Sequence, residues 1–215
     1  NRDRRDLTDA LCGQILSFNN VSNFSYDLYV VDIGSQPEER SPYTTIEYDE
    51  AHFRGKCFGH NVGIRQAALS ANYRYYWVMM NDLRYDGQKD AMTIMVELMD
   101  ENSEIGIMSP TNIGEGKEFP GSSPETGQAF RKVAICEYLS LLFRGDVMKE
   151  IGFLNPDFHY CWGAIHELSY KIYSESKWFL AYCDLVQFNH LGGTTYGQAK
   201  NTVSRIEYRK RAAEY

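Results

Sequence analysis

The sequence lacks an excess of positive charge: 22 Lys and Arg stand against 29 Asp and Glu, a formal net charge of −7. Phosphate backbones select the opposite sign, so nucleic acid is not an expected partner. Cysteine is scarce and unpatterned. The five residues, Cys12, Cys57, Cys136, Cys161 and Cys183, are odd in number and never form a Cys-x-x-Cys. That argues against a disulfide framework and against a zinc cluster, and it predicts reduced, mostly buried thiols. Long apolar runs are missing as well: Tyr75 to Met80 and Trp178 to Cys183 are strand-sized, against the about 20 residues a membrane helix requires. No basic-then-apolar leader opens the chain and its first residue is Asn1, so a cytoplasmic protein cut at its amino end is expected.

What is present is the composition of a globular domain, 43% hydrophobic and 24% charged over 215 residues, enough for one well-buried core. Leu7, Leu11, Ile15 and Phe18 recur at helical spacing behind Asp6, predicting a helix over 6–18. Tyr26 to Ile33 is a near-continuous apolar run, the pattern of a strand covered on both faces. The alternation goes on: a short strand at 44–48, a helix from Asn61 to Asn72, a strand from Tyr75 to Met80, a helix from Gly87 to Asn102 and a strand from Ile105 to Ser109. The methionine stripe of the second of these helices, Met92, Met95 and Met99, reads as adaptable core filler. Residues 110–132 hold three of the six prolines and read as a long surface loop. Strand from Ile135 to Phe143, helices over 146–151 and 164–174, strands at 178–183 and 186–188, and a basic helix from Lys200 complete the chain. Strands alternating with helices predict a single α/β domain with a mostly parallel central sheet flanked by helices.

Open α/β sheets bind ligands beyond the carboxyl ends of their strands. Asp32 after the first strand, Asn61 at a helix start and Asp82 after a third strand fall there. Taken singly each has a simpler reading, as a turn, an N-cap and an Asx-turn; their clustering is what points to a site.

Seven segments in order resemble the GT-A fold glycosyltransferases, in particular the large family-2-like group that uses nucleotide sugars. Tyr26-Asp-Leu-Tyr-Val-Val-Asp-Ile-Gly-Ser35 is similar to the strand ending in a VVDxGS motif, and Gly59-His-Asn-Val-Gly63 to the NxG helix start. Tyr75-Tyr-Trp-Val-Met-Met-Asn-Asp-Leu-Arg84 resembles the strand that runs into the DxD-type metal motif, and Ile105-Gly-Ile-Met-Ser-Pro110 the strand after it. Phe143-Arg-Gly-Asp-Val-Met-Lys-Glu-Ile-Gly-Phe153, Trp162-Gly-Ala-Ile-His-Glu-Leu-Ser-Tyr170 and Phe188-Asn-His-Leu-Gly-Gly193 match three later motifs.

The resemblance covers nearly the whole chain. It implies a GT-A, Rossmann-like domain over 1–215 whose first strand is either absent from the chain or lies upstream of this sequence. It implies donor contacts from Asp32, Asn61, Arg65 and Asp82, and a Mn²⁺ or Mg²⁺ ion held by Asp82 and His190. Such an ion neutralises a leaving diphosphate as a Lewis acid, and a set with one imidazole favours Mn²⁺. Tyr and Trp faces stack on sugars while their polar edges hydrogen-bond, which puts Tyr160, Trp162 and Tyr196 on the acceptor side. The short, tyrosine-rich chain also resembles the capsid-glycosylating transferases of large algal viruses, and so a host-cytoplasm location.

Two departures qualify the resemblance. Met80 stands at the first acidic position of the DxD-type motif, leaving one carboxylate to carry it. Ile165 stands where inverting relatives present an aspartate, and an aliphatic side chain cannot take a proton. Three readings follow: His166 or Glu167 as base from a shifted helix, transfer with retention and no such base, or a domain that binds donor without transferring it. Glu167, one turn before Lys171, also suits a plain i,i+4 pair. Retention is placed ahead of inversion. The expected activity is transfer from a UDP-sugar, with UDP-glucose the test donor, to a glycan or glycoprotein. The alternative is a non-catalytic nucleotide-sugar or glycan-binding module. A nucleotidyltransferase would need a glycine-rich, lysine-bearing phosphate loop after its first strand, and none is found.

Overall fold

The structure, a computed structural model, describes residues 1–18, 24–48, 56–87, 90–113, 123–125, 127–158, 161, 163–192, 207 and 210. Tyr160, Trp162, Tyr196 and the basic helix expected from Lys200 lie outside the described residues, Glu207 and Lys210 excepted. In chain order the elements are α1 (Arg5–Ser17), β1 (Val31–Ile33), β2 (Ile46–Tyr48), α2 (Lys56–Ser70), β3 (Tyr75–Met79), β4 (Leu83–Tyr85), α3 (Ala91–Glu101), β5 (Ile105–Asn112), β6 (Phe130–Val133), β7 (Ser140–Arg144), α4 (Gly145–Glu150), α5 (Ala164–Glu175) and β8 (Phe179–His190). Among the described residues no helix is long and apolar enough to cross a membrane.

The α/β architecture stands, with a central sheet between helices, but the sheet is mixed and not mostly parallel. Its order is β3-β7-β5-β8-β4, with β6 also on β8. Only β5 and β8 run parallel within it; β3 with β7, β5 with β7, β4 with β8 and β6 with β8 are antiparallel. A separate parallel pair joins β1 to β2. Continuous apolar runs report burial on both faces, and burial does not encode direction. β7 is as buried as a parallel strand while inserted antiparallel between β3 and β5.

Side-chain alternation sends neighbours to opposite faces, and two cores result. Ile107, Leu141, Phe143, Leu180 and Tyr182 pack with Ile64 of α2, Val147 of α4 and Ile165, Leu168 and Ile172 of α5. Their partners in alternation, Met108, Leu142, Ala181 and Cys183, pack with Leu11 and Ile15 of α1 and Met92, Met95, Val96 and Met99 of α3. The methionine stripe is thus core. All five cysteines are buried and none is joined in a disulfide.

Several boundaries moved for local reasons. The strand expected over Tyr26–Ile33 is confined to β1, because Val30 turns its amide to the Thr45 hydroxyl, at 2.9 Å. α3 starts at Ala91 instead of Gly87 because Asp90 caps it, accepting from the Met92 amide at 2.9 Å. α2 starts a turn before Asn61, so Asn61 is an interior helix residue and not a cap; its amide donates to the Leu154 carbonyl at 2.6 Å. The glycines of that segment have a packing reason. A Cβ at Gly59 would stand 2.5 Å from the Ile33 side chain, and one at Gly63 3.1 Å from that of Val31, so their spacing of one turn lets α2 lie close on β1.

The two strands expected at 178–183 and 186–188 are one strand, β8, interrupted in register. Pro110 faces Cys183 and Thr111 faces Gln187, so Asp184, Leu185 and Val186 form a bulge where Pro110 offers no N–H. The bulge is pinned by Arg131, whose Nε donates to Asp184 Oδ2 at 2.7 Å and whose second guanidinium nitrogen donates to Oδ1 at 2.9 Å. The loop expected over 110–132 is shorter at both ends, since β5 runs on to Asn112 and β6 begins at Phe130. Residues 1–4 form no strand; Asn1 lies beside β1, with its amino group donating to the Val31 carbonyl at 2.6 Å and its carbonyl accepting from Ile33 at 3.1 Å.

Candidate active site

One end of the sheet gathers the polar groups. Asp82 follows β3, Asn112 ends β5, Glu137 precedes the antiparallel β7, and His190 ends β8. The short strand β4 performs the convergence: Leu83 sits opposite His190 in the β4–β8 register, and the Leu191 amide donates to the Asp82 carbonyl at 2.9 Å. The side chains then meet, His190 Nε2 standing 3.3 Å from Asp82 Oδ2, with 15% and 17% of the side chains exposed. Residues 108 positions apart in the chain therefore share one partly open point.

Around this pair the charges are mixed. Asn81 is tied to α1, its amide donating to Thr8 Oγ1 at 3.0 Å, and the Met80 amide donates to the Leu139 carbonyl at 2.9 Å, which draws the start of β7 against the Asp82 turn. Arg84 donates to the Leu83 and Asn81 carbonyls at 2.6 and 3.2 Å; burial lowers its pKa, against the nearby charges of Asp6 and Asp82. Arg4 grips Asp6, and that bond, more than the charge of Asp82 beyond it, raises its pKa.

Glu137 was not singled out by the sequence. Its Oε2 accepts from Asn112 Nδ2 at 2.9 Å and its backbone amide donates to the Tyr182 hydroxyl at 2.7 Å. Burial raises its pKa, the Asn112 bond and the charge of His190 working against that and the charge of Asp82 adding to it. A carboxylate thus stands within electrostatic reach of the Asp82–His190 pair while being held by other elements. The one signal in the sequence is an acidic residue inside an otherwise apolar run.

The other expected donor residues are placed differently. Asp32 is 1% exposed and surrounded by donors: the Ser35 amide at 3.0 Å, the Ser35 hydroxyl at 2.7 Å and the Asn1 amide at 2.9 Å, with Arg40 Nε at 4.0 Å. It fastens the turn in which Gly34 takes a φ of 69°. Asn61 is buried, and its Oδ1 has no hydrogen-bond partner among the described residues. Arg65 is exposed, its guanidinium 5.7 Å from the centre of the Phe153 ring.

On α5, Ile165 is a core residue and His166 is exposed. Glu167 accepts from Asn155 Nδ2 at 3.3 Å and pairs with Lys171 at 3.1 Å. The i,i+4 pair is therefore made.

The donor set can be tested against a divalent ion. Two ligands about 2.1 Å from a shared ion and at right angles stand about 3 Å apart, which the 3.3 Å between Asp82 and His190 meets. Among the described residues no group of three His, Cys, Asp or Glu is placed to hold a metal. Asp82 and His190 fit such an ion as a two-point hold, one hard oxygen and one imidazole, a mixture suited to Mn²⁺.

No family model matches this sequence, and no curated protein matches it. Solved structures do. The chain is similar to GalNAc-T7 with UDP, GalNAc and Mn²⁺, at a TM-score of 0.56 and 10% identity over 86% of this chain and 41% of that one. It is also similar to the mannosyltransferase PcManGT from Pyrobaculum calidifontis in complex with GDP-Man and Mn²⁺, at a TM-score of 0.57 and 14% identity over 88% of this chain and 54% of that one. The chain thus spans about half the length of these proteins. It has the fold of the GT-A glycosyltransferases, a central sheet flanked by helices in a single α/β unit.

Proposed function

We propose that this chain is a metal-dependent glycosyltransferase of the hexosyl type, moving a sugar from a UDP-sugar to a glycan or glycoprotein acceptor. The observation that carries the reading is the meeting of Asp82 and His190 at the strand ends, in a fold shared with transferases solved with Mn²⁺ and nucleotides. The ion they would hold, Mn²⁺ or Mg²⁺, supplies positive charge against a leaving diphosphate. The chain's own part is to orient. β4 fixes Asp82 against His190, Asn81 ties the Asp82 turn to α1, and Arg4 and Arg84 add positive potential on the Asp82 side. With two protein ligands, nucleotide and ion bind together more firmly than either alone.

Retention suits α5 as it stands. Ile165 is in the core, Glu167 is held by Lys171 and Asn155, and a front-face displacement can pass the acceptor proton to the departing phosphate without a protein base. Tyr160, Trp162 and Tyr196 are the proposed acceptor platforms and Asn61 and Arg65 the proposed nucleoside side, with Asp32 acting indirectly by holding the turn at Gly34. UDP titrated with and without Mn²⁺ tests the proposal. Binding is expected to need the metal and to be lost in Asp82→Ala; metal-independent binding that survives this substitution overturns it.

A second reading, a nucleotide-sugar or glycan-binding module without transfer, is favoured by Met80 and Ile165. Slow metal-dependent hydrolysis of UDP-glucose separates the two, since a binding module releases no free sugar.

A further inference from the structure

Cys57 and Cys161, 104 residues apart, bring their sulfurs to 2.9 Å. A disulfide is about 2.05 Å long, so about 0.9 Å of approach separates these thiols from a bond, less than a side-chain rotamer adjustment supplies. Cys57 lies in the first turn of α2, wholly buried, and Cys161 is 7% exposed in the turn before α5.

The backbone adds a second, independent observation. Cys161 has a φ of 61°, and with Asp3 it is one of two non-glycine residues at positive φ among the described residues. This region disfavours L side chains by about 1–2 kcal/mol, and glycine is its usual occupant. The Cys161 amide donates to the Phe158 carbonyl at 2.9 Å and its own carbonyl accepts from Ala164 at 3.3 Å. Glycine stands two residues on at Gly163, φ 86°. A cysteine at this position, its sulfur against that of Cys57, is a strained residue whose side chain has a use.

The other three thiols are set apart. Burial raises Cys12 to about 11 and Cys183 to about 11. Burial alone pushes the Cys136 thiol far above the ordinary thiol range, and its sulfur donates to the Ala181 carbonyl at 3.6 Å. Cys183 lies in the core on the α1–α3 side of the sheet and Cys12 is buried on α1, while Cys57, Cys136 and Cys161 share the other core.

We infer that Cys57 and Cys161 are a modification site, a reversible disulfide between the start of α2 and the turn before α5. The oxidant is a hydroperoxide, small enough to reach buried thiols. One thiol, as thiolate, attacks the peroxide oxygen and becomes a sulfenic acid with release of water. The second thiol attacks that sulfur, forming the S–S bond and releasing the second water, so two thiols and one hydrogen peroxide give one disulfide and two waters. A dithiol reductant returns both thiols. The cross-link fastens the helix that carries Asn61 and Arg65 to the turn that leads into His166 and Glu167. This inference does not depend on the glycosyltransferase reading.

Thiol counting after oxidation tests it. The purified chain is treated with hydrogen peroxide, excess oxidant is removed, and the protein is denatured and titrated for free thiols. Three titratable thiols in place of five are expected, five again after dithiothreitol, with a digest peptide joining Cys57 to Cys161. The oxidised form should melt roughly 10 °C higher, because the link closes a long loop of the unfolded chain. Cys57→Ser should keep its four thiols under the same treatment; peptide mapping of the unmodified protein decides the question if that variant does not fold. Five thiols persisting, a linkage joining any other pair, or sulfinic acid at Cys57 or Cys161 in place of the cross-link overturns the inference.

Discussion

Asp32 and Asp82 obey one sequence rule, an acidic residue where a buried strand gives out, and the fold treats them oppositely. Asp32 is closed off, its oxygens met by Ser35 and Asn1 inside the protein. Asp82 stays partly open and faces an imidazole. What a carboxylate does is decided less by its strand-end position than by how many donors its own neighbourhood supplies. The Asp32 site is saturated locally, by a turn three residues on and the chain's first residue. Asp82 meets its partner through a strand that returns from the far side of the sequence.

The comparison can be broken at its strongest point. Asp32→Ala should leave the Ser35 amide and the Asn1 side chain without their acceptor, destabilising the protein by about 3 kcal/mol. Thermal unfolding should show this as a Tm lower by roughly 6–12 °C; an unchanged melt would mean the buried carboxylate holds nothing. Asp82→Ala should reverse the pattern, with Tm nearly unchanged and Mn²⁺-dependent UDP affinity down by about 100-fold or more. Removing a ligand should exceed the roughly 10–100-fold loss typical of the groups that support one, and titration calorimetry reads both numbers.

Glu137 sharpens the contrast with a pH dependence. Burial raises its folded-state pKa above the unfolded value, so the folded protein binds its proton more readily. Its ionisation therefore opposes folding as pH rises through that window, and the opposition is complete above the folded pKa. Glu137→Gln, which keeps an oxygen for Asn112, should match the parent in melts below about pH 4 and be the more stable protein at neutral pH. Equal stability at both would place this side chain in water. The smallest effect belongs to Glu167→Ala, which removes a half-buried i,i+4 pair with Lys171 worth about 0.3–0.5 kcal/mol. Tm should fall by about 1–2 °C and donor hydrolysis should hardly change; a tenfold loss of hydrolysis would instead make Glu167 a catalytic residue.

Much of the fold was legible because apolar periodicity is a burial signal, and α1, α3, β5 and α5 each bury an apolar face. Strand direction was not legible for the same reason: β7 carries the full apolar pattern while running against its neighbours. β4 escaped because three residues, Leu83-Arg84-Tyr85, are too few to establish a period, yet this strand is what brings Asp82 to His190. The pairing itself was readable only through motif resemblance, since no spacing rule links residues so far apart. Glu137 stood inside a run read as one strand from Ile135, whereas β7 begins at Ser140, so a residue at the strand's mouth was taken as part of its body. The close approach of α2 to β1 was hidden in plain glycines, whose role is defined by the side chains of Ile33 and Val31 opposite them.

The bulge in β8 acts as a length standard for the site. Cys183 is fixed opposite Pro110 and Leu83 opposite His190, so the number of residues between those two anchors sets which way the imidazole turns. Because successive strand residues face opposite sides, deleting Leu185 alone would leave the chain able to fold through its first anchor while delivering Leu191 to the place of His190. Lengthening a surface loop costs little in closure entropy, but those three bulge residues are counted.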